Sequence, residues 1–393
     1  MSDGLTWQLL RQRERPIRAS FLELFFDLAF IFALTRLSQI LLADLSGVEA
    51  FRTLLLFAAI WWVWFVTAWS ADWFDPRAPL IVVLLLWVMF GDLLMAAAVP
   101  TAFTEHALLF AGAYVAIHLG RAALLIPALR GHPLQVRTAR VAIWFAVSGV
   151  LWLVGAAVAP AREALWATAL VLEYALARLG WPTPGLGRSS WPDLRVSGEH
   201  LSERYEQIFI IALGELILMS GVAYSQGGLD RDRTVAFVLA FLTAVALGRL
   251  YLVPAGARLG RAIDEAGPPG SKLALLAGYL HLIMIAGVLA TSIAMELAIA
   301  EPRSHDPARL FVSAAGPVLF LVGRVLLTAV VHHRLPWPRL IGVPVLVAGG
   351  FASAGLPLLG ASSVTVGLLA LIIVADAFVD RHTRGAVELG TGG

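Results

Sequence analysis

Apolar residues run along this chain in blocks of about 17 to 27 residues, the length that carries a helix across roughly 30 Å of hydrocarbon. Each block is closed by polar residues, proline or glycine. The blocks fall near 21–42, 51–72, 79–99, 105–127, 138–159 and 163–179, and then near 202–222, 233–254, 272–298, 308–331, 339–358 and 361–379. They predict an all-α, polytopic transmembrane bundle of about twelve helices. Between the two sets lies a stretch with Pro182, Pro184, Gly185, Gly187, Pro192 and Gly198, which predicts an irregular interfacial linker. The chain therefore divides into a first six-helix unit over 1–180, a cytoplasmic linker over 181–200 and a second six-helix unit over 201–393.

Composition fits this pattern. Of 393 residues, 59% are hydrophobic and 14% charged, with a mean hydropathy of +0.80. A soluble globular chain carries about a quarter charged residues, so the solvent here is lipid. Twelve spans leave no room for a sizeable soluble domain. The net charge of +2 comes from basic residues scattered through loops, which argues against nucleic acid as a partner. Cysteine is absent, which excludes disulfides, thiolate nucleophiles and cysteine metal sites. Arg11, Arg13, Arg15 and Arg18 precede a long first span with no short apolar region and cleavage site before it, so no cleavable signal is expected.

Arginine alternates between loops. Counting from a cytoplasmic N-terminus, the inner side holds about eighteen basic residues, among them Arg130, Arg137, Arg140, Arg258, Lys272 and Arg381. The other side holds about six, namely Arg52, Arg162, Arg231, Arg233, Arg303 and Arg309. The positive-inside rule then places both termini in the cytoplasm of a bacterial cell, with the protein in its inner membrane.

An internal repeat is visible as well. Phe26-Asp27-Leu28-Ala29-Phe30-Ile31-Phe32-Ala33-Leu34 aligns with Tyr205-Glu206-Gln207-Ile208-Phe209-Ile210-Ile211-Ala212-Leu213, and Leu119-Gly120-Arg121 matches Val322-Gly323-Arg324 at a larger offset. Since six is even, two such units have the same orientation and are related by an axis along the membrane normal.

Several of these pieces carry a family likeness. Phe21-Leu22-Glu23-Leu24-Phe25-Phe26-Asp27-Leu28, then Glu203-Arg204 followed by Leu213-Gly214-Glu215, resembles the bacterial low temperature requirement A family of membrane proteins. Further matches are Trp61-Trp62 through Asp75-Pro76, His118-Leu119-Gly120-Arg121, and Tyr279-Leu280-His281 followed by Gly287 and Glu296. The chain departs from that pattern at Arg36, where relatives usually carry Gln, and at Glu206-Gln207, where they carry Gly-Leu. The resemblance implies a multi-pass membrane protein and a name taken from growth in the cold; it implies no established molecular activity. A shorter likeness, through Phe25-Phe26-Asp27, Phe30, Ala33, Thr35 and Leu37, is similar to the first-helix signature of an endolysosomal potassium channel family, with Phe26 where that signature has Ser.

Charged groups within hydrocarbon cost a few kcal/mol or more, so each is expected to face the bundle interior with a partner or water. The spans hold Glu23, Asp27, Arg36, Asp92, Arg121, Glu173, Glu206, Glu215, Arg249, Arg324 and Asp376, with His118 and His281. Candidate binding or transport residues are Glu23, Asp27, His118, Arg121, Glu203, Arg204, Glu215, His281, Glu296 and Arg324. Asp27 and Arg121 each lie about 9 Å from the same side of the membrane at 1.5 Å per residue, so they are expected to pair, with Glu206 and Arg324 as the equivalent. Such pairs can be structural, pinning two helices. Alternatively Asp27, Glu215 or His281 binds or relays a cation or proton. The leading reading is a transporter or a cation or proton channel acting on a small ion or molecule. Its rival is an intramembrane enzyme for a lipid or isoprenoid substrate, with Asp72 and Asp75 as an Asp-x-x-Asp magnesium site, although no second acidic cluster accompanies them. No catalytic triad, phosphate-binding loop or metal motif is present, so no cofactor and no metal are expected. The lipid bilayer is the expected partner, and a homo-oligomer is compatible with the sequence.

Overall fold

A computed structural model of the chain describes residues 9–11, 19–190, 196–228, 230–252, 256–267 and 270–390. Among these residues the secondary structure is helical, with thirteen α-helices. They are α1 (Phe21–Ala43), α2 (Gly47–Trp73), α3 (Pro79–Ala98), α4 (Ala107–Ala128), α5 (Pro133–Ala157), α6 (Arg162–Leu179), α7 (Gly198–Gly227), α8 (Arg231–Leu252), α9 (Gly256–Glu265), α10 (Gly270–Ala300), α11 (Pro307–His332), α12 (Trp337–Ala352) and α13 (Leu358–Gly390). Every predicted apolar block coincides with one of these, and α9 is the additional helix.

Among the described residues ten helices are long and apolar enough to cross a membrane. The two predicted spans outside that set are α6 and α12. Sixteen residues give α12 a length of about 24 Å, short of a ~30 Å hydrocarbon layer. In α6 the apolar run is broken by Arg162, Glu163, Glu173 and Arg178.

Two compact units emerge. The first comprises Met1–Ile208 and Gly256–Gly278, the second Phe209–Ala255 and Tyr279–Gly393. Helices α7 and α10 thus each begin in one unit and continue in the other. Within the first unit the main neighbours are α1 with α3, α3 with α4, α4 with α5 and α5 with α6. Helix α2 is the most enclosed of the ten candidate spans, and Trp61, Trp62 and Trp64 are fully buried in it. Within the second unit α11 packs on α12, α12 on α13 and α13 on α8. There α10 and α11 approach closely: a Cβ on Gly287 would lie 2.4 Å from the Phe320 backbone nitrogen, and one on Gly316 would lie 2.6 Å from that of Thr291. Small residues at such crossings replace the hydrophobic drive that lipid cannot supply.

The start of α1 is written locally. Ser20 is its N-cap and Glu23 sits three residues on, a capping box in which the Glu23 amide donates to Ser20 Oγ at 3.3 Å and the Ser20 amide to Glu23 Oε2 at 2.7 Å. Asp27, one turn further, lies on the same face as Glu23.

Candidate functional site

Two polar centres in the first unit use this framework differently. The first is built on α1 and the opening turns of α7. Arg204 donates to Asp27 through both terminal nitrogens, at 2.8 Å and 2.6 Å, and Trp64 Nε1 donates to the same carboxylate at 2.9 Å. One turn earlier His200 Nε2 lies 2.8 Å from Glu23 Oε1, while its Nδ1 lies 3.1 Å from Asp72 Oδ1. Glu23 pairs with His200 and Asp27 with Arg204 at the same sequence separation of 177. Two i, i+4 pairs meeting rung on rung mean that these turns of α1 and α7 lie side by side and run parallel.

Most remaining valences of this centre are filled, Arg204 Nε being the buried exception. Arg11 reaches Glu23 Oε2 at 3.0 Å, and its own backbone joins the end of α2, with Arg11 N donating to Trp73 O at 3.0 Å. Asp72 accepts the Ser197 amide at 3.0 Å, and Asp264 accepts that of Gly198 at 2.8 Å, so carboxylates cover the exposed amides where α7 begins. A carboxylate faces each nitrogen of His200, and both can donate only when the ring is protonated. In that state three acids, Glu23, Asp27 and Asp72, balance Arg11, Arg204 and His200.

The second centre is a cavity of about 110 Å³ between α2, α4 and α5. Trp62, Phe65, Trp69, Trp73, Phe145 and Trp181 form most of its wall. Arg121 and His118, which share a face of α4, line it from one side and are 94% and 97% buried (6% and 3% exposed). Arg121 Nη2 donates to Thr67 Oγ1 on α2 at 2.7 Å. Its Nε and Nη1 have no hydrogen-bond partner, and neither does either ring nitrogen of His118. The His118 ring is held by stacking on Phe145, with centroids 3.7 Å apart and planes 10° from parallel. Partly exposed lining residues, Trp73, Leu134, Arg137 and Thr138, gather where α2 ends and α5 begins, so the cavity is reached from that end. Arg137 lies over the Trp73 ring there, 3.4 Å from its centroid.

Next to this cavity the polar groups are matched. Tyr114 donates to Glu173 in a short hydrogen bond, and Trp152 Nε1 donates to the same carboxylate at 3.4 Å. Asp92 on α3 differs, being buried with neither carboxylate oxygen hydrogen-bonded.

A family model described as bacterial low temperature requirement A protein (LtrA) matches residues 18–374. The chain belongs to this family. An uncharacterized protein of Rhizobium meliloti (strain 1021) is 34% identical over 354 residues, covering 88% of this chain and 86% of the relative. No solved structure matches the chain.

For this LtrA-family chain, the residues singled out by sequence fall into separate groups. Glu23, Asp27 and Arg204 are brought together. His118 and Arg121 line the cavity. Glu203 is half-buried and accepts the Ala19 amide at 3.1 Å. In the second unit the buried His281 meets Tyr251 Oη at 2.9 Å through Nε2, and Arg324 donates to Leu250 O at 3.1 Å and Thr328 Oγ1 at 2.6 Å. Glu215 is buried, and Glu296 is partly buried with its Oε2 lacking a hydrogen bond.

Three expectations are corrected. Asp27 pairs with Arg204 and not with Arg121, because α7 supplies the guanidinium beside α1 while Arg121 turns to Thr67. Arg249, expected to face the interior, is exposed on α8. Asp72 and Asp75 do not act together as an Asp-x-x-Asp metal site: Asp72 is taken by His200 and Ser197, and Asp75 caps the Arg77 amide at 2.9 Å. The residue that sequence reasoning missed is His200. Its signal was the one-turn spacing to Arg204, matching that of Glu23 and Asp27 on the helix opposite.

Proposed function

We propose that this protein is a small-solute transporter of the bacterial cytoplasmic membrane, with its substrate site in the aromatic cavity of the first unit. One observation carries this reading: Arg121 and His118, buried among membrane helices, line that cavity with hydrogen-bonding groups left unused. Intramembrane ionisable residues are costly and ordinarily find partners, so an unsatisfied pair facing a cavity marks a place where a ligand completes the shell. A cation channel is less well supported, because the polar groups facing the cavity include two arginines and a histidine. The charge-paired centre at Asp27 and Arg204 reads as the fixed frame.

The cavity mouth lies where α2 and α4 end and α5 begins, the side that the arginine count assigns to the cytoplasm together with both termini. The parallel course of α1 and the first turns of α7 supports two six-helix repeats of like orientation.

The native chain has no cysteine, so single cysteines report alone. Thr138→Cys and Ala122→Cys are to be labelled with a membrane-impermeant thiol reagent in right-side-out and inside-out vesicles. Thr138→Cys should react from the cytoplasmic face and Ala122→Cys from both faces. Labelling of Ala122→Cys from one face only makes the cavity a blind pocket and removes the transport reading. Reaction of Thr138→Cys from the outer face alone reverses the orientation.

A further inference from the structure

We propose that the cavity between α2, α4 and α5 is a site for a small organic anion, a carboxylate or phosphate head carried on a compact apolar body. This deepens the transport reading and names its substrate class. The argument begins with Arg121. A guanidinium presents five N–H donors in a planar fork suited to the two oxygens of a carboxylate or phosphate. Thr67 occupies one terminal nitrogen and thereby fixes the plane. The other terminal nitrogen, Nη1, and Nε are buried and unused; they point to opposite sides of the guanidinium, so each offers a charged N–H to an oxyanion oxygen separately.

His118 stands one turn before Arg121 on the same face and contributes a second donor. Stacking on Phe145 and edge contact with Tyr114 hold the imidazole by its faces and leave its nitrogens free to serve a ligand. Both Arg121 and His118 are more than nine-tenths buried, so water outside the protein does not satisfy them. A carboxylate partner from the protein does not meet Arg121 either, and the nearby acid Glu173 is held by Tyr114 and Trp152.

The walls set the rest of the ligand. Beyond Arg121 and His118 most of the lining is indole, phenyl and aliphatic, including Trp62, Phe65, Trp69, Phe145, Trp181 and Leu125, with Ser70, Arg137 and Thr138 as its other polar residues. A wall with so few polar groups accepts an apolar body by burial better than it accepts a sugar or a multiply charged ion. The void of about 110 Å³ is smaller than the roughly 150 Å³ cavity that takes up benzene, so the enclosed part of the ligand is small, with any longer tail leaving by the mouth. At that mouth Arg137 adds positive charge over Trp73, which favours entry of an anion head first.

The test uses the full chain in phosphatidylcholine nanodiscs, titrated with hexanoate and hexyl phosphate, with hexanol and hexylamine as neutral and cationic matches. Thermal stability and tryptophan emission are read together, since four tryptophans line the site. Both anions should raise Tm by several degrees and shift the emission, and neither match should. Arg121→Gln should weaken the anion response at least tenfold; Ala142→Phe, which fills the cavity and leaves the charges in place, should do the same. No response to any anion, an equal response to hexanol, or an unchanged response in folded Arg121→Gln overturns the proposal. Phosphatidylglycerol nanodiscs separate the sources: an Arg121-dependent rise in Tm that blocks hexanoate identifies a lipid headgroup, and hexanoate binding undiminished there identifies a free solute. Both outcomes support the anion site. Anion binding with one-sided labelling of Ala122→Cys leaves this site standing and removes transport, whereas two-sided labelling without anion binding does the reverse.

Discussion

Arg204 and Arg121 are the same residue type, both buried in the first unit at 1% and 6% exposure, yet one faces a carboxylate and the other does not. Arg204 meets a carboxylate with two hydrogen bonds and lies over the Trp64 ring at 5.7 Å. Arg121 has one hydroxyl as partner and no carboxylate, with its Nε and Nη1 unused. A buried charge whose terminal nitrogens meet a carboxylate and other polar partners is a structural fastening, expensive to break and of little use to a ligand. A buried charge without them is stabilised only when something else arrives. The difference separates frame from site more sharply than charge, depth or burial does.

The comparison is broken most directly at Asp27. Removing one partner of a buried ion pair leaves the other uncompensated, so Asp27→Asn and Arg204→Gln should each lower unfolding stability in detergent by about 3–5 kcal/mol. The double variant should recover part of that loss, because it leaves no lone charge. Single variants as stable as the parent protein would mean that this pair does not fasten α1 to α7.

A smaller loss is expected at His200. Its replacement by Gln removes the link between Glu23 and Asp72, but Glu23 keeps Arg11 and the Ser20 amide, and Asp72 keeps the Ser197 amide. Weakened satisfaction of buried acceptors costs about 1–3 kcal/mol, below the Arg204 effect. Equal losses at the two positions would show that the network acts as one unit, not as two rungs.

The fold was legible in sequence because hydrocarbon thickness imposes a single length scale on every apolar block. The capping Ser20 and Glu23 were equally local. The partner of Asp27 was not. Depth along a helix can be computed from residue number, and it set Asp27 level with Arg121; which helices stand side by side is a tertiary fact that hydropathy does not encode. His200 was hidden for a related reason. It closes a stretch rich in proline and glycine, and only the arrival of α7 beside α1 turns it into a rung. The importance of Arg121 was legible as a charge in a span, but its lack of an acid partner is a property of what surrounds it. Aromatic residues scattered over α2, α5 and the turn after α6 become one wall only when folded.

The smallest effect on stability, and the sharpest contrast, is expected at Arg121 itself. Arg121→Gln removes one bond to Thr67, whose hydroxyl still donates to the Val63 carbonyl at 2.6 Å, so no hydroxyl is stranded. It also removes a buried cation that lacks a counter-charge, and replacing a buried charge by a neutral group of similar volume is often neutral or stabilising. The two effects oppose one another. The net change in unfolding stability without ligand should stay within about 1 kcal/mol, against the 3–5 kcal/mol at Arg204. Detergent unfolding of the two Gln variants side by side, on protein stripped of lipid and solute, measures this ratio. A loss at Arg121 as large as that at Arg204 would place Arg121 in the frame, and its Nε and Nη1 would then have a structural partner to be found within the chain.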